Sequence, residues 1–190
     1  MPLSTKHKPV IPMRVDGVVL EPGTQAPAVM LRGVDDPRLC LAMYIGGLEA
    51  NAIATALADV ELPRPMTHDL IHSMLAELGA TLARVVITDL IDGTFYAELT
   101  LVDESAHEHV IDARPSDGLA LALRTGAAVY ASRAVLAAAA TMATEATTED
   151  GGAPAGDTEH ARAPVGPCAV TSGDVNLEDL DPETFGDYKM

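Results

Sequence analysis

The sequence predicts an α+β domain made of two strand–strand–strand–helix repeats, and three observations carry that prediction. VVITDLIDGTFYAELTLV (85–102) sets β-branched and aromatic residues on both sides of Asp92–Gly93, a pair that suits the two positive-φ positions of a tight hairpin. Segments 46–59 and 115–126 are rich in Ala and Leu, strong helix formers. Sliding the chain on itself by 68 residues lays Val18–Val19 on Val86–Ile87, PAVML (27–31) on FYAEL (95–99), and EANAIA (49–54) on DGLALA (117–122). Agreement across three separate elements predicts a duplication, with repeats at about 14–63 and 82–131.

The elements follow in order. Residues 1–13 read as an N-terminal arm, and 14–141 as one domain, long enough for a single core. RVDGVVLEPGTQAPAVMLRG (14–33) predicts a hairpin turning at Glu21–Pro22–Gly23, and GGLEANAIATALAD (46–59) a helix. A connector helix is expected over 67–78, with Thr67 as its cap, Asp69 in its first turn and Gly79 as its stop. Its Leu70, Ile71, Met74, Leu75 and Leu78 share one face, the pattern of a helix packed on a sheet. PSDGLALALRTG (115–126) opens on Pro115 at a first-turn position and closes on Gly126. AAVYAS (127–132) supplies a last strand before a short Ala-rich helix. Residues 142–173 hold Gly, Ala, Pro, Thr and acids with little apolar surface, and predict a disordered acidic linker. The end, 174–190, regains Leu177, Leu180, Phe185 and Tyr188 and reads as a short tail.

Composition narrows the function. Hydrophobic residues make up 48% but aromatics only 3%, so the core must be aliphatic and no aromatic platform for stacked bases is available. Of the net charge of −16, residues 1–141 carry −7 and residues 142–190 carry −9. No Lys/Arg block marks a nucleic-acid footprint, so any such contact must come from a few arginines gathered at one place. Cys40 falls in an expected strand and Cys168 in the expected linker, which predicts two unpaired thiols and a reducing compartment. MPLSTKHKPVIPM lacks a signal-peptide apolar run, and AVLAAAATMA is too short to span a bilayer. The expectation is a soluble cytoplasmic protein with no membrane contact.

Three clusters could hold chemistry. In PRPMTHDLIH (63–72), His68 and His72 stand at helical i, i+4 spacing and could ligate a metal with a carboxylate, although HDLIH lacks the glutamate of HExxH. The plainer reading is a helix start capped by Thr67, with Asp69 favoured by the helix dipole. In DARPSDG (112–118), Arg114 could hold a phosphate while Asp112 or Asp117 holds a divalent cation. The plainer reading there is an Arg114–Asp112 ion pair beside a helix start. Glu49 and Asp117 are equivalent positions of the two repeats and could face each other as a metal pair, or serve as independent first-turn acids. GxSxG, CxxC, Walker and GxGxxG patterns are absent.

YIGGLEANAIATAL, PRPMTHDLIHSML, DGTFYAEL and IDARPSDGLALALRTGA, in that order, resemble the bifunctional nuclease domain family over roughly residues 14–140. The resemblance implies duplicated β3α units closing into one barrel-like mixed sheet, a homodimer, and cleavage of both DNA and RNA. Matching residue by residue carries over Glu49, Arg64, His68, Asp69, Asp112, Arg114, Ser116, Asp117 and Arg124. His68, Asp69, Asp112 and Asp117 are then expected as the catalytic set. Glu49, Asp112 and Asp117 would be ligands of a divalent ion such as Mg²⁺ or Mn²⁺, and Arg64, Arg114, Ser116 and Arg124 substrate contacts. His68 or a metal-bound water would supply the nucleophile, with Arg64 and Arg114 stabilising phosphate charge. The chain departs from the family at Gly118 (usually Ala), Tyr44 (usually Trp) and Ala128 (usually Pro), while LDPETFG resembles the family's acidic closing segment. The competing expectation is a non-catalytic dimeric scaffold or regulatory module whose polar clusters are structural and whose acidic tail meets a partner.

Overall fold

A computed structural model of the protein describes residues 9–148. Most of the expected linker and the whole expected tail lie outside the described residues. The elements are β1 (Val10–Leu20), β2 (Pro27–Gly33), β3 (Cys40–Tyr44), α1 (Gly47–Leu57), α2 (Thr67–Glu77), β4 (Thr81–Ile91), β5 (Thr94–Val102), β6 (Glu108–Ala113), α3 (Pro115–Thr125), β7 (Ala128–Ser132) and α4 (Arg133–Thr148). No helix among the described residues is long and apolar enough to cross a membrane.

The strands form one mixed sheet in the order β3-β2-β1-β7-β4-β5-β6. Neighbours are antiparallel except β4 and β7, which run parallel. The triplets β1–β2–β3 and β4–β5–β6 thus flank β7 in mirrored order, each followed by a helix. α1 and α3 are offset by 68 residues at both ends, the interval at which the sequence matches itself. The sheet stays open, which corrects the barrel-like closure expected above. α4 packs against β3 at one edge, and β6 at the other pairs with β5 alone, so no strand joins the two ends.

Local chemistry explains the element ends. Asp92 and Gly93 have φ of 49° and 78°, the two left-handed positions that a two-residue hairpin requires. Arg114, extended, caps α3 ahead of Pro115, and Gly126 ends it at φ 72°, where a Cβ would be strained. α2 differs from expectation at its start. Its cap is Met66, whose N–H donates to Asp69 Oδ2 at 2.7 Å, so Thr67 is already helical and Asp69 does the capping from three residues on.

α2 differs on its apolar face as well. None of its residues is buried, and Leu70, Met74 and Leu78 are 52%, 54% and 75% exposed. Ile71 alone of the expected hydrophobic set packs against the core. The reason is placement: α2 leans chiefly on α3, with only marginal contact to the sheet at β4. The core itself is aliphatic as expected, centred on Val29, Leu31, Leu41, Met43, Ile53, Val85, Ile87 and Leu119. Cys40 is disulfide-bonded, which corrects the expectation of two unpaired thiols; Cys168 lies outside the described residues.

α3 presses on β4 and β5 closely enough that position 118 has no room for a methyl. A Cβ at Gly118 would stand 2.8 Å from Val85 Cγ1 and 3.3 Å from Leu99 Cδ1. Gly118→Ala gains about 1 kcal/mol of helix propensity but overpacks a rigid β-branched neighbour at about 1–3 kcal/mol. The expected outcome is a net loss of about 1 kcal/mol, read as a lower urea midpoint at unchanged m-value. Combined with Val85→Ala, the methyl should cost nothing further, a non-additivity that a double-mutant cycle measures.

Candidate functional site

Three helix starts converge beside the sheet. Glu49 lies in the first turn of α1, His68 and Asp69 in that of α2, and Asp117 in that of α3, with Arg114 as the α3 cap. Helix starts carry unpaired N–H groups and the positive end of the helix dipole, so acids are stable there and anions are attracted. Their side chains form one network. Arg114 Nε donates to Asp117 Oδ2 at 2.7 Å and its Nη2 to Oδ1 at 3.1 Å, a two-pronged contact. Arg114 Nη1 reaches Glu49 Oε1 at 2.8 Å, joining the two repeat-equivalent acids through one guanidinium. His68 Nε2 lies 3.2 Å from Asp117 Oδ1.

The electrostatics follow from these contacts. Burial works to raise the Asp117 carboxyl, but hydrogen bonds from Arg114 and His68 outweigh it and hold Asp117 below the usual carboxylate range. Arg114 is raised in return, chiefly by its bond to Asp117. Asp117 is therefore ionised near neutrality and accepts the Nε2–H of His68. His68 is only 13% exposed, yet Nδ1 has no partner among the described residues and is not sealed away from solvent. A lone pair on an oriented imidazole is thus within reach of solvent, beside a guanidinium that is 65% exposed. That combination can take up a proton and bind an anion at the same place.

A second ion pair stands behind the first. Arg124, expected among the substrate contacts, is turned inward and is 8% exposed. Its Nε pairs with Asp69 Oδ1, and its Nη1 donates to the carbonyls of Ala52 at 3.0 Å and Ala120 at 2.9 Å. Both oxygens of Asp69 are therefore occupied, one by Arg124 and one by the Met66 N–H. Burial pushes Asp69 up, but these bonds prevail and its carboxyl lies below the usual range. Arg124 and Asp69 bind α1, α2 and α3 together, with Arg124 buried and Asp69 partly exposed. Sequence reasoning missed Met66; its spacing of three from Asp69, just after Pro65, was the available signal.

The other expected residues are placed as follows. Asp112 is exposed on β6 and makes no side-chain hydrogen bond or ion pair among the described residues; in particular it does not pair with Arg114. Ser116 is buried in the first turn of α3. Arg64 is exposed in the loop entering α2, with no ion pair among the described residues. His72 is exposed and lines a shallow cavity of about 220 Å³ with Thr55, Asp59, Asp69 and Arg124.

The donor set for a divalent ion does not fit as it stands. Glu49 and Asp117 already share a guanidinium, Asp112 is apart, and no three of His, Cys, Asp and Glu form a ligand group among the described residues.

An α+β domain with these motifs clustered at three helix starts defines a class, and comparison supplies its name. Residues 29–144 match the Bifunctional nuclease domain, and the chain belongs to that family. An uncharacterized protein of Mycobacterium tuberculosis is 42% identical over 138 residues, covering 73% of this chain and 81% of that relative. Bifunctional nuclease 1 of Oryza sativa subsp. japonica is 24% identical over 110 residues, covering 57% of this chain and 33% of its own length. Bifunctional nuclease 2 of the same rice is 28% identical over 100 residues, covering 52% and 31%. The chain spans about a third of those plant proteins.

Proposed function

We propose that this protein is a nuclease cleaving phosphodiester bonds in RNA and DNA at the three-helix site. The observation that supports the reading best is the His68–Asp117–Arg114 arrangement. It sets a proton acceptor, the carboxylate that orients it and an exposed phosphate-binding guanidinium side by side. His68 acts as general base through Nδ1, and Asp117 fixes the tautomer and the imidazole's direction. Arg114 stabilises charge on the phosphate oxygens, helped by the N–H groups of the first helical turns. Arg64 adds an unpaired cation for the polynucleotide backbone. The Mg²⁺ or Mn²⁺ expected from the acids has no step in this reading, because Glu49 and Asp117 already hold Arg114 and Asp112 does not join them.

The scaffold alternative expected the polar groups to be separate caps and pairs. Glu49, His68 and Asp117, drawn from three helices, instead share one network, which favours catalysis. A duplicated origin of the halves goes with this reading, supported by the common 68-residue offset of α1 and α3 and by the mirrored order of the two strand triplets. So does a homodimer, supported by the open β6 edge with Val110 and Ile111 about half exposed. A cytoplasmic location rests on nucleic-acid substrates alone, since the Cys40 disulfide removes the argument from reduced thiols.

The test is cleavage of labelled RNA and DNA by the purified chain beside His68→Ala, with circular dichroism showing that the variant is folded. Wild-type cleavage that the variant loses supports the site. Equal cleavage by both places the activity elsewhere.

A further inference from the structure

We infer that RNA is the preferred substrate, cut by its own 2′-hydroxyl with His68 as the base and without a metal ion. The inference rests on the nuclease reading and deepens it.

Its starting point is what occupies the acids. A divalent ion would have to displace the Arg114 guanidinium from Asp117, where it is held at 2.7 and 3.1 Å, and from Glu49, at 2.8 Å. Arg114 neutralises much of the charge that would attract such an ion. What the site offers instead is one unpaired imidazole nitrogen within reach of solvent and one exposed guanidinium.

Those two groups suit one kind of attack far better than another. Water attacking a DNA phosphodiester must be captured and oriented as well as deprotonated, and Glu49 and Asp117, the carboxylates networked with His68, are already engaged by Arg114. A ribose 2′-hydroxyl is already tethered next to the phosphorus. Intramolecular nucleophiles in good geometry reach effective molarities of about 10⁵–10⁸ M, so the substrate itself provides what the site lacks.

The step balances. The 2′-oxygen gives its proton to His68 Nδ1 and forms a bond to phosphorus, while Arg114 holds the phosphate oxygens. The bond from phosphorus to the 5′-oxygen breaks, and that oxygen takes a proton from solvent. His68 then returns its proton to solvent. The products are a 2′,3′-cyclic phosphate and a free 5′-hydroxyl, with no net change in protons and no redox partner.

The experiment uses the full chain in excess EDTA. Its probes are an RNA oligonucleotide, the same sequence as DNA, and the same RNA with 2′-O-methyl groups. Expected are cleavage of the plain RNA at least about 10³-fold faster than of either other probe, cyclic-phosphate ends, and loss of cleavage in both His68→Ala and Asp117→Asn. Comparable cleavage of the DNA or 2′-O-methyl probe, 5′-phosphate ends, or RNA cleavage only after adding Mg²⁺ or Mn²⁺ overturns the inference and leaves the nuclease reading standing. No cleavage of any probe, with or without those ions, overturns both.

Discussion

Asp117→Asn should lower kcat on nucleic acid by about 10²–10⁴-fold while leaving the protein folded. Asparagine keeps the size of the side chain but not its pattern of acceptors. As a carboxylate, Asp117 accepts from His68 Nε2 at 3.2 Å and twice from Arg114, so Nε2 carries the proton and Nδ1 stays free to accept one. An asparagine has one acceptor oxygen. If that oxygen stays with Arg114, the amide NH₂ faces His68 and donates to Nε2. The proton then moves to Nδ1, where the substrate should be met, and the base is disabled without being removed. Stability should change little, because Asp117 is about one-third exposed and exposed ion pairs contribute about 0–1 kcal/mol. Steady-state kinetics with a parallel melting curve separates the two effects. A variant that keeps a third or more of wild-type kcat would remove Asp117 from the mechanism.

That arrangement was only partly legible in the sequence, and the division follows contact distance along the chain. The features read correctly are local ones. The Asp92–Gly93 turn, the Pro115 start and the Gly126 stop each depend on backbone angles within a few residues. α1 and α3 also fall at the 68-residue interval at which the sequence matches itself. What was not legible depends on partners far away. Arg114 meets Glu49 across 65 residues and His68 meets Asp117 across 49, and no spacing rule connects such pairs. The i, i+4 spacing of His68 and His72 suggested a shared role, yet the packing of α2 on α3 turns only His68 toward Asp117. The parallel join of β4 to β7, which seats the second half beside the first, is likewise set by tertiary contacts.

The same contrast applies to α2, whose apolar period is clear although the helix buries none of it. Only Ile71 and the cap Met66 pack against the core there, so hydrophobic burial holds its first turn weakly, and the Arg124–Asp69 pair is the strongest attachment available. Arg124→Met should test this with the largest stability loss of any single change proposed. Methionine is similar in length and apolar, so little cavity is left. It abandons Asp69 and the carbonyls of Ala52 and Ala120, however, and all three are then short of a donor. Breaking a buried pair costs about 3–5 kcal/mol. Asp69 is 34% exposed and water can reach it, so the lower end, about 3 kcal/mol, is expected here. Arg124→Lys keeps the charge without the planar fork that serves three partners, and should lose roughly half as much. Urea unfolding gives the totals, and amide hydrogen exchange gives the location. Exchange should quicken in α2 well before it does in β4 and β5, because α2, unlike those strands, depends on this anchor. A loss below about 1 kcal/mol for Arg124→Met, or exchange that rises evenly through the domain, would show that α2 is held some other way. If the anchor does hold α2, nuclease activity should fall in the same order, Lys before Met. His68 rides on the turn that Arg124 fixes, and its 3.2 Å contact with Asp117 lasts only while that turn stays docked.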